Sequence, residues 1–324
     1  MFNVQFKIMN NGKKIPSIGI GTFTVTKETE LTTALNEALK IGYRHIDTAT
    51  FYQNEHIIGN VLNKWLTSGQ VKREDLFVTT KLHIIDSFPE KVEEAVKASL
   101  EKLQLEYIDL LLIHCPVSCY VDENGGFVPA PTDHIGVWKK MEDEVDAGRV
   151  KSIGLSNFNM NQIEKIRASA RIPPANIQVE IHPYHQQKKL REYCKKHDIV
   201  IVAYSSLGAP GVNHFYRAVG WHDHELPGVL TNPEIVRIAK KHKRSPAQIA
   251  LRFALQLDLA VIPKSTNAER LKENFHIFDF DLSDEDMKDI EGLEQGIQTK
   301  IIDLKFLSPI ITQHPEYPYK ELIE

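Results

Sequence analysis

Four polar side chains in this sequence, Asp47, Tyr52, Lys81 and His114, are of the types that together could carry out one reaction. Reducing a carbonyl needs a hydride donor and an acid that protonates the developing alkoxide. Tyrosine alone is a weak acid for this, because its phenol titrates at about 10. A neighbouring lysine cation stabilises the phenolate and lowers that value, and an aspartate keeps the lysine charged and oriented. A histidine can donate a hydrogen bond to the carbonyl oxygen and fix its position. Singly, Asp47 reads as a loop cap, Lys81 as a surface cation and His114 as a satisfied core histidine. Their joint placement at strand ends argues for a site.

The elements that must position them follow from hydrophobic periodicity. A hairpin is expected from residues 4–8 and 13–16 around Asn10-Asn11-Gly12. Strands are then expected at 17–21, 43–47, 76–80, 107–114, 150–155, 177–180, 199–204 and 259–263. Helices are expected between them at 28–41, 54–68, 89–103, 133–147, 160–167, 187–197, 232–242 and 245–257. Runs such as YIDLLLI and IVIVAY are apolar on both faces, as a parallel sheet covered by helices requires. Eight such units point to an α/β fold, a closed (β/α)8 TIM barrel forming one domain over residues 1–324. The open doubly wound sheet is the alternative, but the first strand-to-helix turn lacks its Gly-x-Gly-x-x-Gly pattern. In a barrel, sequential strands lie roughly 5 Å apart. Asp47 ends the second, Lys81 the third and His114 the fourth, with Tyr52 in the loop after the second. The four converge on the C-terminal face, where barrel active sites lie.

Bulk properties narrow the classes. The chain has 324 residues, 42% hydrophobic and 25% charged, with a formal net charge of −4. That balance gives no reason to expect nucleic acid or a membrane surface as partner, and no apolar run is long enough to span a bilayer. The N-terminal residues do not read as a secretory signal. Three cysteines (Cys115, Cys119, Cys194) without a C-x-x-C pair fit a reducing compartment, so a cytoplasmic location is expected. Cys115 reads as a buried pocket thiol. His222, Asp223, His224 and Glu225 are adjacent rather than spaced, so no metal site is expected. Nothing demands more than a monomer.

Between the last strand and its helix, IPKSTNAER sets Lys264 and Arg270 among Ser265, Thr266 and Asn267. Such a loop offers cations, hydroxyls and helix N-terminal amides to an anion, and TIM barrels frequently bind phosphate after strands seven and eight.

At this point the sequence resembles a known family. GYRHIDTATFYQNE (42–55), TTKL (79–82), LLIHCP (111–116), GLSNFN (154–159), IQVEIHPY (177–184) and IPKSTNAERLKENF (262–275) are similar, in order, to the pattern of the aldo-keto reductase superfamily. The similarity runs from about residue 6 to the C-terminus. It implies Tyr52 as general acid, Lys81 and Asp47 as its tuning partners and His114 as the group orienting the carbonyl. It implies NADPH/NADP+ as cofactor, with Lys264, Ser265, Thr266 and Arg270 at the 2′-phosphate and Glu273 and Asn274 at the adenine. Having both cations argues for NADPH over NADH, since a 2′-hydroxyl would leave them without an anionic partner. By the same resemblance Ser156, Asn157 and Gln178 bind the carboxamide, with Asp47 beside them. Tyr204 stacks on the nicotinamide, and Thr22, Ser205 and Leu207 make backbone or pyrophosphate contacts.

The substrate side departs from the family pattern. Many relatives have aromatic walls at the places of Phe23, His83 and Cys115; only the first keeps its ring. Phe51, Tyr52 and His114 complete the expected pocket, and the tail from Ile297 is expected to fold over the barrel mouth. The expected reaction is reduction of an aldehyde or ketone to an alcohol. A small, largely apolar carbonyl compound is expected as substrate: an aliphatic or aromatic aldehyde, or a steroid-like ketone such as an ecdysteroid. The other classes weighed are an NADPH-binding regulatory subunit, a crystallin-like structural protein and a sugar isomerase. The last would want metal-binding carboxylates at several strand ends.

Overall fold

The computed structural model describes residues 4–225 and 228–323; residues 226 and 227 lie outside the described residues. Strands β1 (Phe6–Ile8) and β2 (Lys14–Pro16) pair antiparallel across a turn in which Gly12 takes a φ of 77°, a conformation that glycine adopts without strain. Met9 and Ile15 of this hairpin pack on Phe77, Leu110, Val202 and Ala260. These lie at or near strand starts, so the hairpin closes the N-terminal end of the sheet.

That sheet runs through β3 (Ile20–Gly21), β4 (His45–Asp47), β5 (Phe77–Leu82) and β6 (Leu110–Ile113). A second hairpin follows, β7 (Ser118–Val121) with β8 (Phe127–Ala130). The sheet resumes with β9 (Ile153–Ser156), β10 (Asn176–Glu180), β11 (Val200–Tyr204) and β12 (Ala260–Val261). The eight strands pair parallel in the order β3-β4-β5-β6-β9-β10-β11-β12. A bridge from Ile18 to Val261 joins the two ends, and the Gly19 N–H donates to the Val261 carbonyl at 2.8 Å. The sheet is therefore the expected closed TIM barrel.

Helices cover its outside: α1 (Glu28–Ile41), α2 (Glu55–Thr67), α3 (Val92–Leu103), α4 (His134–Asp146), α5 (Met160–Arg167) and α6 (Lys188–Lys196). Between β11 and β12 come α7 (Val212–Ala218), α8 (Pro233–His242) and α9 (Pro246–Gln256), and after β12 come α10 (Ala268–Phe275) and α11 (Asp284–Glu291). Local chemistry sets several starts. Ser245 accepts from the Gln248 N–H at 3.2 Å while the Gln248 side chain accepts from the Ser245 N–H at 3.1 Å, with Pro246 at the first helical position. Apolar faces such as Leu31, Leu35, Ala38 and Leu39 of α1 pack inward with strand residues such as Ile46 and Val78. No helix among the described residues is long and apolar enough to cross a membrane.

Several strand bounds need correction, the eighth among them, which shrinks from 259–263 to Ala260–Val261. The third barrel strand extends through Leu82, so Lys81 lies inside it, paired in register with Leu112. The fourth is confined to Leu110–Ile113, preceded by a bridge from Ile108 to Val150, and His114 is the first residue past its end. The first shrinks to Ile20–Gly21 plus the closing bridge at Ile18. The β7–β8 hairpin was not anticipated. Its turn is held by Asp122, whose carboxylate accepts from the N–H groups of Asn124 (2.9 Å) and Gly126 (2.7 Å).

Candidate active site

Adjacent strands β4, β5 and β6 bring the four polar residues together. Asp47, last in β4, accepts from Lys81 Nζ on one carboxylate oxygen (2.7 Å) and from Gln178 Nε2 on the other (2.6 Å). Lys81 Nζ also donates to the Thr48 carbonyl (2.8 Å) and to Tyr52 Oη (3.3 Å). An ammonium has three donors, and here each has its own acceptor. Tyr52 is delivered by a 3-10 turn, Thr50–Tyr52, tied to β5 by the Thr50 hydroxyl on the Lys81 carbonyl at 3.1 Å. Because Tyr52 Oη accepts from Lys81, its own O–H is left to donate elsewhere. The His114 ring stands 5.6 Å from that of Tyr52, centroid to centroid, and Phe23 stands 5.0 Å from it on another side.

The neighbouring strand ends carry the residues assigned to the cofactor. Ser156 ends β9 and Asn157 follows with a φ of 66°. The Asn157 amide donates to the His114 carbonyl (2.9 Å) and to Ser156 Oγ (3.2 Å); its oxygen accepts from the hydroxyls of Tyr204 (2.6 Å) and Tyr319 (3.0 Å). The Thr22 hydroxyl donates to the Asp47 carbonyl at 2.9 Å. Ser205 and Ala209, beside Leu207, hold left-handed φ values of 52° and 43°, unusual for residues with a side chain and concentrated at ligand sites. Beyond β12, Asn267 caps α10 by accepting from the Arg270 N–H at 3.0 Å, and Ser265 Oγ accepts from the Asn267 N–H at 3.2 Å. Glu273 accepts from the Ser245 hydroxyl, and Asn274 is buried. Neither Lys264 nor Arg270 forms a side-chain ion pair among the described residues.

One cavity of about 730 Å³ joins these parts. Its wall includes Asp47, Tyr52 and His114, every cofactor candidate named from the sequence, and Phe23, Phe51, His83 and Cys115. Lys81 stands behind the wall, reaching it through Asp47 and Tyr52. The tail contributes Ile302, Leu304, Phe306 and Leu307, and the start of α7 contributes Val212.

A second buried polar cluster went unnoticed in the sequence. Glu180, last in β10, accepts from the backbone N–H groups of Ile301 (2.6 Å) and Ile302 (2.8 Å) and from Lys300 Nζ (3.4 Å). It clasps the tail to the barrel just where the tail becomes a pocket wall. Lys300 also lies 4.3 Å from the Tyr319 ring centroid and 3.5 Å from Tyr204 Oη. A signal was available: Glu180 is two residues after Gln178 on one strand and so shares its face.

The family model for the aldo/keto reductase family matches residues 17–295. The chain belongs to this family. Prostaglandin F synthase 1 of Bos taurus is 42% identical over 97% of both chains, and dihydrodiol dehydrogenase 3 of the same species is 41% identical over the same shares. The solved structure of the aldose reductase from Schistosoma japonicum superposes with a TM-score of 0.87 at 40% identity, covering 98% of this chain and 99% of that one.

In this aldo/keto reductase, burial dominates the electrostatics of the site. It pushes the Tyr52 phenol well above the usual tyrosine value, and the Asp47 charge adds to the rise. The Lys81 ammonium, donating to Tyr52 Oη at 3.3 Å, favours the phenolate and opposes this rise. Burial also lowers Lys81, with Asp47 opposing. His114 falls well below the usual histidine value through burial and the Lys81 charge, so its ring is neutral. The Cys115 thiol is pushed up to about 12 by burial, unsuited to nucleophilic chemistry.

Proposed function

We propose that this enzyme reduces an aldehyde or ketone to an alcohol with NADPH, using Tyr52 as the proton donor. The observation that carries the reading is one cavity with Asp47, Tyr52 and His114, backed by Lys81, at one part of its wall and Lys264 and Arg270, without ion pairs among the described residues, at another. NADPH, when bound, supplies the hydride that goes to the carbonyl carbon. The protein's own residues do the rest. The neutral His114 donates to the carbonyl oxygen and holds it near Tyr52. The Tyr52 O–H gives its proton to that oxygen as charge develops. Lys81, already donating to Tyr52 Oη, stabilises the phenolate as it forms, and Asp47 keeps the ammonium in place.

The rest of the cavity fits the cofactor. Lys264 and Arg270 offer two cations beside the capped N-terminus of α10, the environment a 2′-phosphate requires, with Ser265 and Thr266 adding hydroxyls. Glu273 and Asn274 would hold the adenine, and Ser156, Asn157, Gln178 and Tyr204 would hold the nicotinamide end. Thr22, Ser205 and Leu207 line the path between. The substrate pocket is built from Phe23, Phe51, His83, Cys115 and the tail. Its predominantly apolar wall suits bulky aliphatic, aromatic or steroid-like carbonyl compounds, as do relatives named for prostaglandin and dihydrodiol chemistry.

The test follows NADPH absorbance over a panel of carbonyl compounds for wild type and Tyr52→Phe. A fall in turnover of about 10²–10⁴-fold in a variant that still binds NADPH is the expected result. Wild type that binds NADPH but reduces nothing would favour the regulatory or structural reading, and absence of NADPH binding would overturn the proposal.

A further inference from the structure

His83 is a polar side chain in an apolar wall. It follows directly on β5, is 8% exposed, and shares its part of the cavity with Phe51, Ile84, Leu304 and Leu307. Its ring packs against Phe51 at 5.2 Å and against Phe127 of the β7–β8 hairpin at 5.6 Å. Phe51 in turn lies 6.2 Å from His114. One phenyl ring thus separates this imidazole from the one assigned to the reacting carbonyl.

Backbone geometry fixes which nitrogen carries the proton. The Ile85 N–H donates to His83 Nδ1 at 3.2 Å. A ring nitrogen that accepts is unprotonated, so in the neutral imidazole the proton sits on Nε2. Burial keeps the ring neutral, lowering its titration to about 4. Two other buried histidines satisfy Nε2 on the backbone, His134 on the Pro116 carbonyl and His314 on the Ala130 carbonyl, each at 2.7 Å. His83 Nε2 has no such partner among the described residues.

We propose that His83 Nε2–H is a specificity contact for a second oxygen of the substrate. The favoured substrates are then carbonyl compounds with an apolar middle and an accepting oxygen (hydroxyl, ketone or ester) at the end away from the reacting group. The inference rests on the proposed reductase function. A pocket built to hydrogen-bond a substrate oxygen rejects the analogue that lacks it far more strongly than an apolar wall distinguishes one methylene from another. A ligand that covers His83 without accepting from it strips water from the donor and returns nothing.

The experiment uses the full chain with NADPH and three series of linear aldehydes of increasing length, ending in methyl, hydroxyl or methyl ester. At a matching length, kcat/KM for the oxygen-terminated aldehydes should exceed that for the methyl-terminated one by about tenfold or more, mostly through KM. In His83→Phe and His83→Leu that ratio should fall to about one, and His83→Gln, which keeps a donor, should restore part of it. Circular dichroism and NADPH affinity establish that the variants fold. A wild type that reduces the aldehydes with no preference for a terminal oxygen at any length overturns the inference while leaving the reductase reading intact. So does a preference that survives in folded His83→Phe. Reduction of none of them overturns this inference, and if the wider carbonyl panel is also left untouched the reductase reading falls with it.

Discussion

At Tyr52, burial and the Asp47 charge act in one direction and the Lys81 cation in the other, and the first two prevail. Reduction needs the protonated phenol, which is present below its pKa and lost above it. With that value raised beyond 10, kcat/KM for reduction should be flat from about pH 6 to about pH 9. His114, neutral throughout, adds no limb on the acid side. An inflection near neutrality in the pH profile would show that Tyr52 is not the group titrating. At the far end of the cavity, Lys264→Met and Arg270→Met should each raise the Kd for NADPH about tenfold, equivalent to about 1.4 kcal/mol. NADH affinity should move little; equal losses for both cofactors in a titration would rule out a 2′-phosphate role. The sequence singles these residues out because chemistry restricts which side chains suit such roles, and the structure brings them to one cavity. The net direction of the Tyr52 shift was not legible there, since it depends on depth of burial, which spacing does not encode.

Among the elements, periodicity located those with a strong apolar face. The spans of α1 and α5 coincide with their expected residues. The β7–β8 hairpin escaped because its strands carry no clean alternation, and α7 because seven residues make too short a helical pattern. For α11 a signal existed in Ser283 followed three residues later by Asp286, which form a capping box. The clasp between β10 and the tail joins residues 120 apart in sequence, a pairing that only the closed fold defines. Burial tends to raise Glu180, but the Lys300 cation and a hydrogen bond with His182 Nε2 (3.2 Å) outweigh it and hold the carboxyl far below the ordinary glutamate range. Burial weighs more heavily on Lys300, which is lowered despite Glu180. Glu180→Gln should therefore cost about 3–5 kcal/mol by leaving Lys300 buried and unpaired, with much of the loss recovered when Lys300→Met is added. Denaturant melts of the single and double variants would show it; equal stability of Glu180→Gln and wild type would remove the clasp from the account. Since its folded value is depressed, the Glu180 contribution is fully present above the unfolded value of about 4.3 and is shed as pH falls toward the folded one.

For the whole molecule, closing the sheet between Ile18 and Val261 gives the barrel a face on which residues from distant parts of the sequence meet. The residues proposed to act on the carbonyl lie within 47–114, whereas the tail at 302–307 lends the same cavity part of its wall. Exchanging residues 297–324 for a relative's tail should thus shift the ranking of bulky substrates while the Tyr52→Phe defect stays the same size. A chimera with an unchanged ranking would place selectivity elsewhere. The Asn157 side-chain oxygen receives two hydroxyls at once, Tyr204 from the cofactor side and Tyr319 from the tail. Two events that share one acceptor exchange free energy, and equilibrium linkage makes that exchange symmetric. Tyr319→Phe should therefore change NADPH affinity although Tyr319 does not line the cavity. Saturating NADPH should, in return, change the protection of the wild-type tail against hydrogen exchange by a comparable factor.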